Sequence, residues 1–340
     1  VADFIDTVAG PVPRLATALT NRDHWGTVAV RIGLRRNNYT VTPGLYCLGN
    51  ADKRSPVLVT GNYKLTVDAL RKELGETACW LLVVDTRGIN VWCAAGKGSF
   101  SAHEVAYQIQ QARLAEIVDH RHVILPQLAA SGVNHRDIKR LCGFRASFGP
   151  IRANDIAEFL QTGTVNDQCR AVSFTTKERL ELIPVEIFIA LKPLLAIAIV
   201  MYLLTGITPD GYSLTQVISR GNRLLSAIGV GLLSGAAVTP LLLPWIPVRS
   251  FWAKGAIIGT VSGLVFTGMF GSIADYVLIE KVALLCWIIC CSSYLAMNFT
   301  GSTPFTSHAG VVKEMRLGLK VQLVTLLTGI TLWLITPFIH

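Results

Sequence analysis

Five long apolar runs in the second half of the chain constrain its fold more than any other feature. They cover residues 185–204, 224–246, 256–270, 277–297 and 319–339. A helix needs about 20 apolar residues to cross the hydrocarbon layer of a bilayer. Within lipid every backbone N–H and C=O must be satisfied inside the protein, so such runs are helical. Pro184 opens the first run, and Pro240 and Pro244 interrupt the second near its end. In the third, Gly255, Gly259 and Gly263 recur every four residues, the pattern of a close-packing helix face. Charge divides at the same place. Residues 1–182 hold 22 Lys+Arg against 17 Asp+Glu, and residues 183–340 hold nine against five. The sequence therefore predicts a soluble domain over 1–182 and an all-α, five-helix transmembrane domain over 183–340.

Basic residues near the span ends set the orientation. Lys177, Arg179, Arg249, Lys254, Lys313, Arg316 and Lys320 fall on one side, and Arg220, Arg223 and Lys281 on the other. Seven against three places the soluble domain in the cytoplasm and the C-terminus outside, in a multi-pass inner-membrane protein. Residues Val1-Ala2-Asp3-Phe4 begin no basic and apolar leader, so no signal peptide is expected. Glu186, Lys192, Glu280 and Lys281 lie near span ends, where snorkelling accounts for them. The basic balance is scattered in pairs such as Arg35-Arg36, without a nucleic-acid motif. The eight cysteines form no Cys-x-x-Cys pair, which argues against a zinc ribbon or an iron–sulfur motif and suits a reducing compartment.

Residues 1–26 read as irregular, and 25–33 as a strand. Further strands are expected at 44–49, 56–60, 79–84, 122–125 and 144–148. Helices are expected near 67–74, 102–118, 136–141 and 154–160. Strand alternating with helix predicts an α/β domain with a mostly parallel sheet, whose ligands bind at the carboxyl ends of strands. Thr60-Gly61-Asn62-Tyr63 and the 85–97 segment both fall at such ends. No Gly-x-Gly-x-x-Gly or P-loop is present. His120 and His122 lack a third metal ligand and read as structural, while His103 is a weaker candidate for the cavity wall.

The most informative stretch is Asn90-Val91-Trp92-Cys93-Ala94-Ala95-Gly96-Lys97. Asn90 suits a helix N-cap and Gly96 the position just past a helix end, leaving little more than one turn between them. Cys93 stands in that first turn, where unpaired backbone N–H groups and the helix dipole favour negative charge. Ala94 and Ala95 are small enough to let a broad, flat group approach. Local physics alone also allows a plain capped turn with a packing cysteine.

This octet resembles the cap-helix signature of the HgcA family, membrane-anchored corrinoid proteins of mercury methylation. Val57-Leu58-Val59-Thr60-Gly61-Asn62-Tyr63-Lys64-Leu65-Thr66, the five-span tail and Asn298-Phe299-Thr300-Gly301-Ser302-Thr303-Pro304-Phe305 extend the resemblance along nearly the whole chain. That family is related to the corrinoid iron–sulfur protein subunits of the acetyl-CoA pathway. The resemblance implies a Rossmann-like corrinoid-binding domain and corrinoid-dependent methyl transfer to Hg(II), forming methylmercury. It makes Cys93 the lower axial ligand of cobalt in a cobalamin-type, Cys-on corrinoid. The Asp-x-His-x-x-Gly pattern of histidine-ligated corrinoid sites is absent here. Thr60, Gly61, Asn62, Tyr63, Thr66, Val67 and residues 90–97 are the expected cofactor contacts. The implied partners are a small ferredoxin with two [4Fe-4S] clusters as electron donor, a methyl-donor route linked to methyl-tetrahydrofolate, and membrane lipid, with no nucleic acid. Two alternatives stand beside this: a membrane-anchored corrinoid methyl carrier of one-carbon metabolism, and a non-enzymatic membrane transporter or sensor with a ligand-binding α/β domain. Cys286 and Cys290 share a helix face, which packing explains better than a metal path. The 298–310 loop is expected to dock the soluble domain or a partner.

Overall fold

The computed structural model describes residues 1–75, 77–270, 278–303, 306 and 308–339. The chain divides into two compact units, one of Val1–Val30 with Leu34–Val172 and one of Arg31–Gly33 with the residues from Ser173 onward. The main elements of the first unit are β1 (Asp3–Thr7), β2 (Gly10–Arg14), α1 (Asn21–Arg31), β3 (Gly44–Leu48), β4 (Val57–Gly61), α2 (Lys64–Leu74), β5 (Cys79–Val84), α3 (Val91–Lys97), α4 (Ala102–Gln111), β6 (His122–Leu125), α5 (His135–Cys142), β7 (Arg145–Phe148) and α6 (Ile156–Thr162).

Every residue of β4 and β5 is buried, so these two strands are covered on both faces, as parallel sheets require. The alternation sorts their side chains cleanly. Val57, Val59, Trp80, Leu82 and Val84 pack with Val105 and Ile109 of α4 on one face. Leu58, Cys79, Leu81 and Val83 pack with Val67, Leu70 and Leu74 of α2 on the other. Each such fully buried side chain contributes about 1.5–3 kcal/mol. The sheet order is β1-β2-β3-β5-β4-β6-β7. β5, β4, β6 and β7 run parallel, while β3 pairs antiparallel to β5. The domain is therefore α/β with a mostly parallel sheet, as the alternating pattern predicts.

Two expectations near the N-terminus are corrected. Residues 25–33 are not a strand, because α1 covers Asn21–Arg31 and leaves Trp25 74% exposed. Its start is set by a reciprocal cap: the Asp23 N–H donates to Thr20 Oγ1 at 3.3 Å, and the Thr20 N–H donates to Asp23 Oδ2 at 2.9 Å. That Thr-x-x-Asp signal outweighs the short apolar alternation. Residues 1–26 are also not irregular, since β1 and β2 form an antiparallel hairpin. Pro11 and Pro13 are tolerated because β2 meets β3 only at Arg14↔Cys47.

The second unit contains five helices long and apolar enough to cross a membrane. They are α7 (Thr176–Leu204), α8 (Leu214–Leu233), α9 (Phe251–Phe270), α10 (Leu278–Asn298) and α11 (His308–Ile339). α7 starts ahead of Pro184, because Thr175 and Glu178 form a capping box. After α8 the chain continues through a π-helical turn and short helical turns to Trp245. The glycine face of α9 packs as expected. A Cβ on Gly255 would lie 2.6 Å from the Ser292 carbonyl oxygen, and one on Gly259 3.0 Å from Ile289 Cα.

Glu280 does not snorkel. It is buried and accepts from Arg223 Nη1 at 3.0 Å, with Arg220 Nε 3.8 Å away. Arg220 Nη2 also donates to the Trp333 carbonyl at 2.5 Å. Pro337, four residues on, has no N–H to serve that carbonyl. Cys290 Sγ lies 3.4 Å from the Gln322 carbonyl oxygen, and Cys286 packs beside Gly329. In the 298–310 loop, Phe299, Thr300 and Thr303 are buried, and Phe299 packs with Leu243 and Phe251 inside this unit. Pro304 and Phe305 of the loop expected to dock lie outside the described residues.

Candidate functional site

In the parallel part of the sheet the chain passes from β4 outward to β5, then returns past β4 to β6 and β7. The winding direction thus reverses between β4 and β6, and such a switch point opens a crevice at the carboxyl ends of the strands. A cavity of about 320 Å³ lies there. Leu58, Val59 and Thr60 from β4 and Ile124 and Leu125 from β6 line it, with Leu65 and Thr66 at the start of α2. Pro126, Gly149 and Pro150 close one side, and Asn90 and Val91 bring the start of α3 to the wall. The lining is mostly apolar. Thr60 is 2% exposed, and its Oγ1 has no hydrogen-bond partner among the described residues.

α3 is placed by the loop that precedes it. Asn62, at the end of β4, sends its side chain across to that loop. Its Oδ1 accepts from the backbone N–H groups of Thr86 and Gly88, each at 3.0 Å, and lies 2.8 Å from Thr86 Oγ1. Its Nδ2 donates to Asp85 Oδ1 at 2.9 Å. Asp85 Oδ1 in turn accepts from the Arg87 N–H at 2.8 Å. Thr86 is fully buried and packs on Gly61, where a Cβ would meet Thr86 Cγ2 at 2.8 Å. Gly61 is thus a packing requirement of Thr86.

At the helix itself Asn90 is the N-cap, its Oδ1 accepting from the Cys93 N–H at 2.8 Å. α3 ends later than the spacing suggests. Gly98, with φ +80°, makes the left-handed turn, so Gly96 and Lys97 are helical. Val91, Ala94 and Ala95 are buried, and Trp92 is half-buried. The two alanines therefore face protein. Their small size lets the 127–133 segment approach so closely that a Cβ on Gly132 would collide with the Ala95 carbonyl oxygen. Cys93, Gly96 and Lys97 form the exposed side, and nothing lies within 4 Å of where a Gly96 Cβ would stand.

Of the expected contacts, then, Thr60, Thr66, Asn90 and Val91 line the cavity, while Cys93 stands exposed on the same helix as Asn90 and Val91 and is not part of that lining. Asn62 and Gly61 serve the loop instead, Tyr63 precedes α2 as its N-cap, and Val67 lies in the core. His103 is exposed and absent from the cavity wall. His120 Nε2 is 3.0 Å from the Ser55 carbonyl oxygen, a structural role. No group of three metal-ligating side chains occurs among the described residues. Sequence reasoning missed Thr86 and Gly132. Asp85-Thr86-Arg87-Gly88 has the composition of a simple strand breaker, and nothing local marks a glycine whose demand comes from a distant carbonyl.

Cys93 is the only exposed cysteine among the described residues. Burial raises the pKa of Cys47 and Cys142 and pushes Cys79 up to about 12. These three are therefore held as thiols.

Fold and site together define an α/β domain with a switch-point cavity, lined in part by the start of a short helix, in a chain that also carries five membrane-length helices. Residues 23–160 match the family described as CO dehydrogenase/acetyl-CoA synthase delta subunit. Acetyl-CoA decarbonylase/synthase complex subunit gamma of Methanopyrus kandleri is 34% identical over 128 residues, 37% of this chain and 27% of that protein. The subunit of the same name from Methanocaldococcus jannaschii is 34% identical over 155 residues, 43% of this chain and 31% of its own length. Subunit gamma 2 of Methanosarcina thermophila is 37% identical over 120 residues, 34% of this chain and 25% of its own. The chain thus spans less than a third of the length of these relatives.

Proposed function

We propose that this chain is a membrane-anchored corrinoid methyl carrier, that Cys93 is the lower axial ligand of its cobalt, and that inorganic Hg(II) is the methyl acceptor. One observation carries this reading: the sole exposed cysteine of the described chain stands in the first turn of the helix whose start, Asn90 and Val91, lines the switch-point cavity. The residues present fit such a cofactor. A soft sulfur donor is exposed, and the buried Thr60 hydroxyl lacks a protein partner at the cavity wall. When bound, a cobalt corrinoid supplies the metal centre that carries the methyl group.

The chain's own residues then divide the work. Cys93 would hold the cobalt with a soft, electron-rich donor, a chemistry suited to a methyl acceptor as soft as thiolate-bound Hg(II). Asn90 fixes the turn that holds the cysteine. Val91 and Trp92 seat the helix, while Gly96 and Lys97 offer an open surface beside the thiol. Thr60, Thr66 and the apolar wall exclude water below. Electrons and methyl groups come from outside this chain. The ferredoxin with two [4Fe-4S] clusters and a methyl-tetrahydrofolate-linked donor are the proposed sources, and the inner membrane the proposed location. The matched segment includes both the cap helix and the cavity, which supports the corrinoid part of the reading.

A second reading, a methyl carrier of one-carbon metabolism, is favoured by the names of the relatives, which are subunits of an acetyl-CoA decarbonylase/synthase complex. Methylmercury formation from isotopically labelled Hg(II) separates the two. Cells carrying the wild-type chain and the ferredoxin should form it, and cells carrying Cys93→Ala at equal expression should not. Equal formation in both would remove Cys93 from the mechanism. No formation in either would favour the one-carbon carrier.

A further inference from the structure

We infer that Asn62 is the positioning residue for Cys93, acting through Thr86 and the 85–90 loop rather than by touching a ligand. The inference rests on the role proposed above for Cys93. The side-chain amide is already committed. Two backbone N–H groups, from Thr86 and Gly88, fill the two lone pairs of Oδ1, and Nδ2 donates to Asp85. Two backbone donors on one atom also settle which end of the amide is oxygen. The Thr86 hydroxyl has a single proton, and the Ile89 carbonyl accepts it at 2.7 Å. The next residue is Asn90, whose Oδ1 holds the Cys93 N–H at 2.8 Å. A connected run of hydrogen bonds thus leads from the end of β4 to the backbone of the cysteine.

The loop needs such a hold. Arg87 and Gly88 are consecutive left-handed residues, with φ of +57° and +73°. Left-handed backbone is unfavourable for an arginine and persists only where its surroundings impose it. The Asp85 side chain bonds to the Arg87 N–H and to Asn62, so the amide anchors both sides of that turn. An alanine at position 62 would leave two backbone N–H groups without an acceptor and free the loop from the strand. The cap helix would stay attached to the core through Val91 and Ala94 but lose its register over the cavity.

The test uses the full chain in detergent, first without corrinoid. In Asn62→Ala, amide hydrogen exchange across residues 85–97 should quicken by at least about ten-fold while β4 and β5 keep their protection. The exchanged pair Asn62→Asp/Asp85→Asn restores an oxygen at 62 and an amide donor at 85, though not the acceptor that Asp85 Oδ1 gives the Arg87 N–H, and should slow exchange in 88–97 well below that of Asn62→Ala. Thr86→Val, which keeps the volume but removes the hydroxyl, should loosen 88–97 and decides the matter if Asn62→Ala does not fold. Unchanged exchange in 85–97, or equal acceleration in the strands, overturns the inference.

The chain is then loaded with hydroxocobalamin. The part of the visible spectrum that Cys93→Ala abolishes should also vanish in Asn62→Ala, with the corrinoid still bound in equal amount, and reappear in the exchanged pair. Identical spectra for wild type and Cys93→Ala would defeat the ligand role of Cys93. The exchange rates would then decide the positioning role by themselves.

Discussion

Asp23 shows how one carboxylate joins two elements. It sits in the first turn of α1 and reaches across to α2, where Lys64 Nζ lies 2.6 Å and Arg71 Nη2 2.7 Å away. Asp68 completes the cluster, at 2.6 Å from Lys64 and 2.9 Å from Arg71. Burial works to raise the pKa of Asp23, but hydrogen bonds from Lys64, the Thr20 backbone and Arg71 together outweigh it and hold it well below its ordinary 3.8. A carboxyl that binds its proton less readily when folded than when unfolded favours the folded state only while ionised. Its stabilisation is therefore complete above about pH 4 and drains away as pH falls further. The thermal midpoint of the first unit should drop steeply below pH 4 in the wild type. Asp23→Asn should lower the midpoint at pH 7 and flatten that acid limb. An acid limb of the same slope in both proteins would show that other carboxylates govern it.

The cap helix is too short to hold its own shape. Seven residues cannot offset the cost of nucleating a helix, so α3 depends on its ends and its packing. Asn90→Ala removes the bond to the Cys93 N–H and should cost about 1 kcal/mol. Gly132→Ala should cost about 1–3 kcal/mol, because the new Cβ meets a backbone carbonyl and not a movable side-chain tip. Both should lower the thermal midpoint of the full chain, and Gly132→Ala the more. A Gly132→Ala midpoint equal to wild type would mean that the 127–133 segment shifts freely and does not brace the helix.

These same elements mark how far the sequence could be read. Strands at 79–84 and 122–125 were legible to the residue, because the first is a fully buried apolar run and the second a buried Val-Ile-Leu run that stops at Pro126. The N-cap at Asn90 followed from local chemistry, whereas the exposure of the thiol three residues on did not, since a packing cysteine suited the same turn. What was not legible depends on contacts distant in sequence. Asn62 ends a strand, but its side chain's partners lie 23 to 26 residues away and no local pattern points to them. Gly98 displaced Gly96 as the terminating glycine because both suit a helix end, and only the Ala95 and Ala94 carbonyls choose between them. α1 was misread because its cap at Thr20 lies ahead of the apolar alternation that suggested a strand.

For the molecule as a whole, the soluble unit and the five membrane-length helices raise the question of sidedness. The intramembrane charges leave the surface count as the guide. Arg220 and Arg223 are engaged with Glu280, and Lys254 caps the carbonyls of Leu243 and Ile246 at 2.6 and 2.7 Å. These bonds stabilise the bundle, yet each cation still resists crossing during insertion, so all belong in the count. With seven basic residues on the side of Lys177 and Arg179 against three on the other, the soluble unit is expected in the cytoplasm. Cys93 can report this directly, since it is the one exposed cysteine among the described residues. A membrane-impermeant maleimide should label the chain in inside-out vesicles and spare it in intact spheroplasts. Cys93→Ser should abolish the fast phase of that labelling, because Cys47 and Cys79 are buried and the half-buried Cys142 and Cys169 have raised pKa values. Fast, Cys93-dependent labelling from the outside would place the candidate site in the opposite compartment. A cytoplasmic ferredoxin could not reach it there, and the electron supply proposed for methyl transfer would fall with the topology.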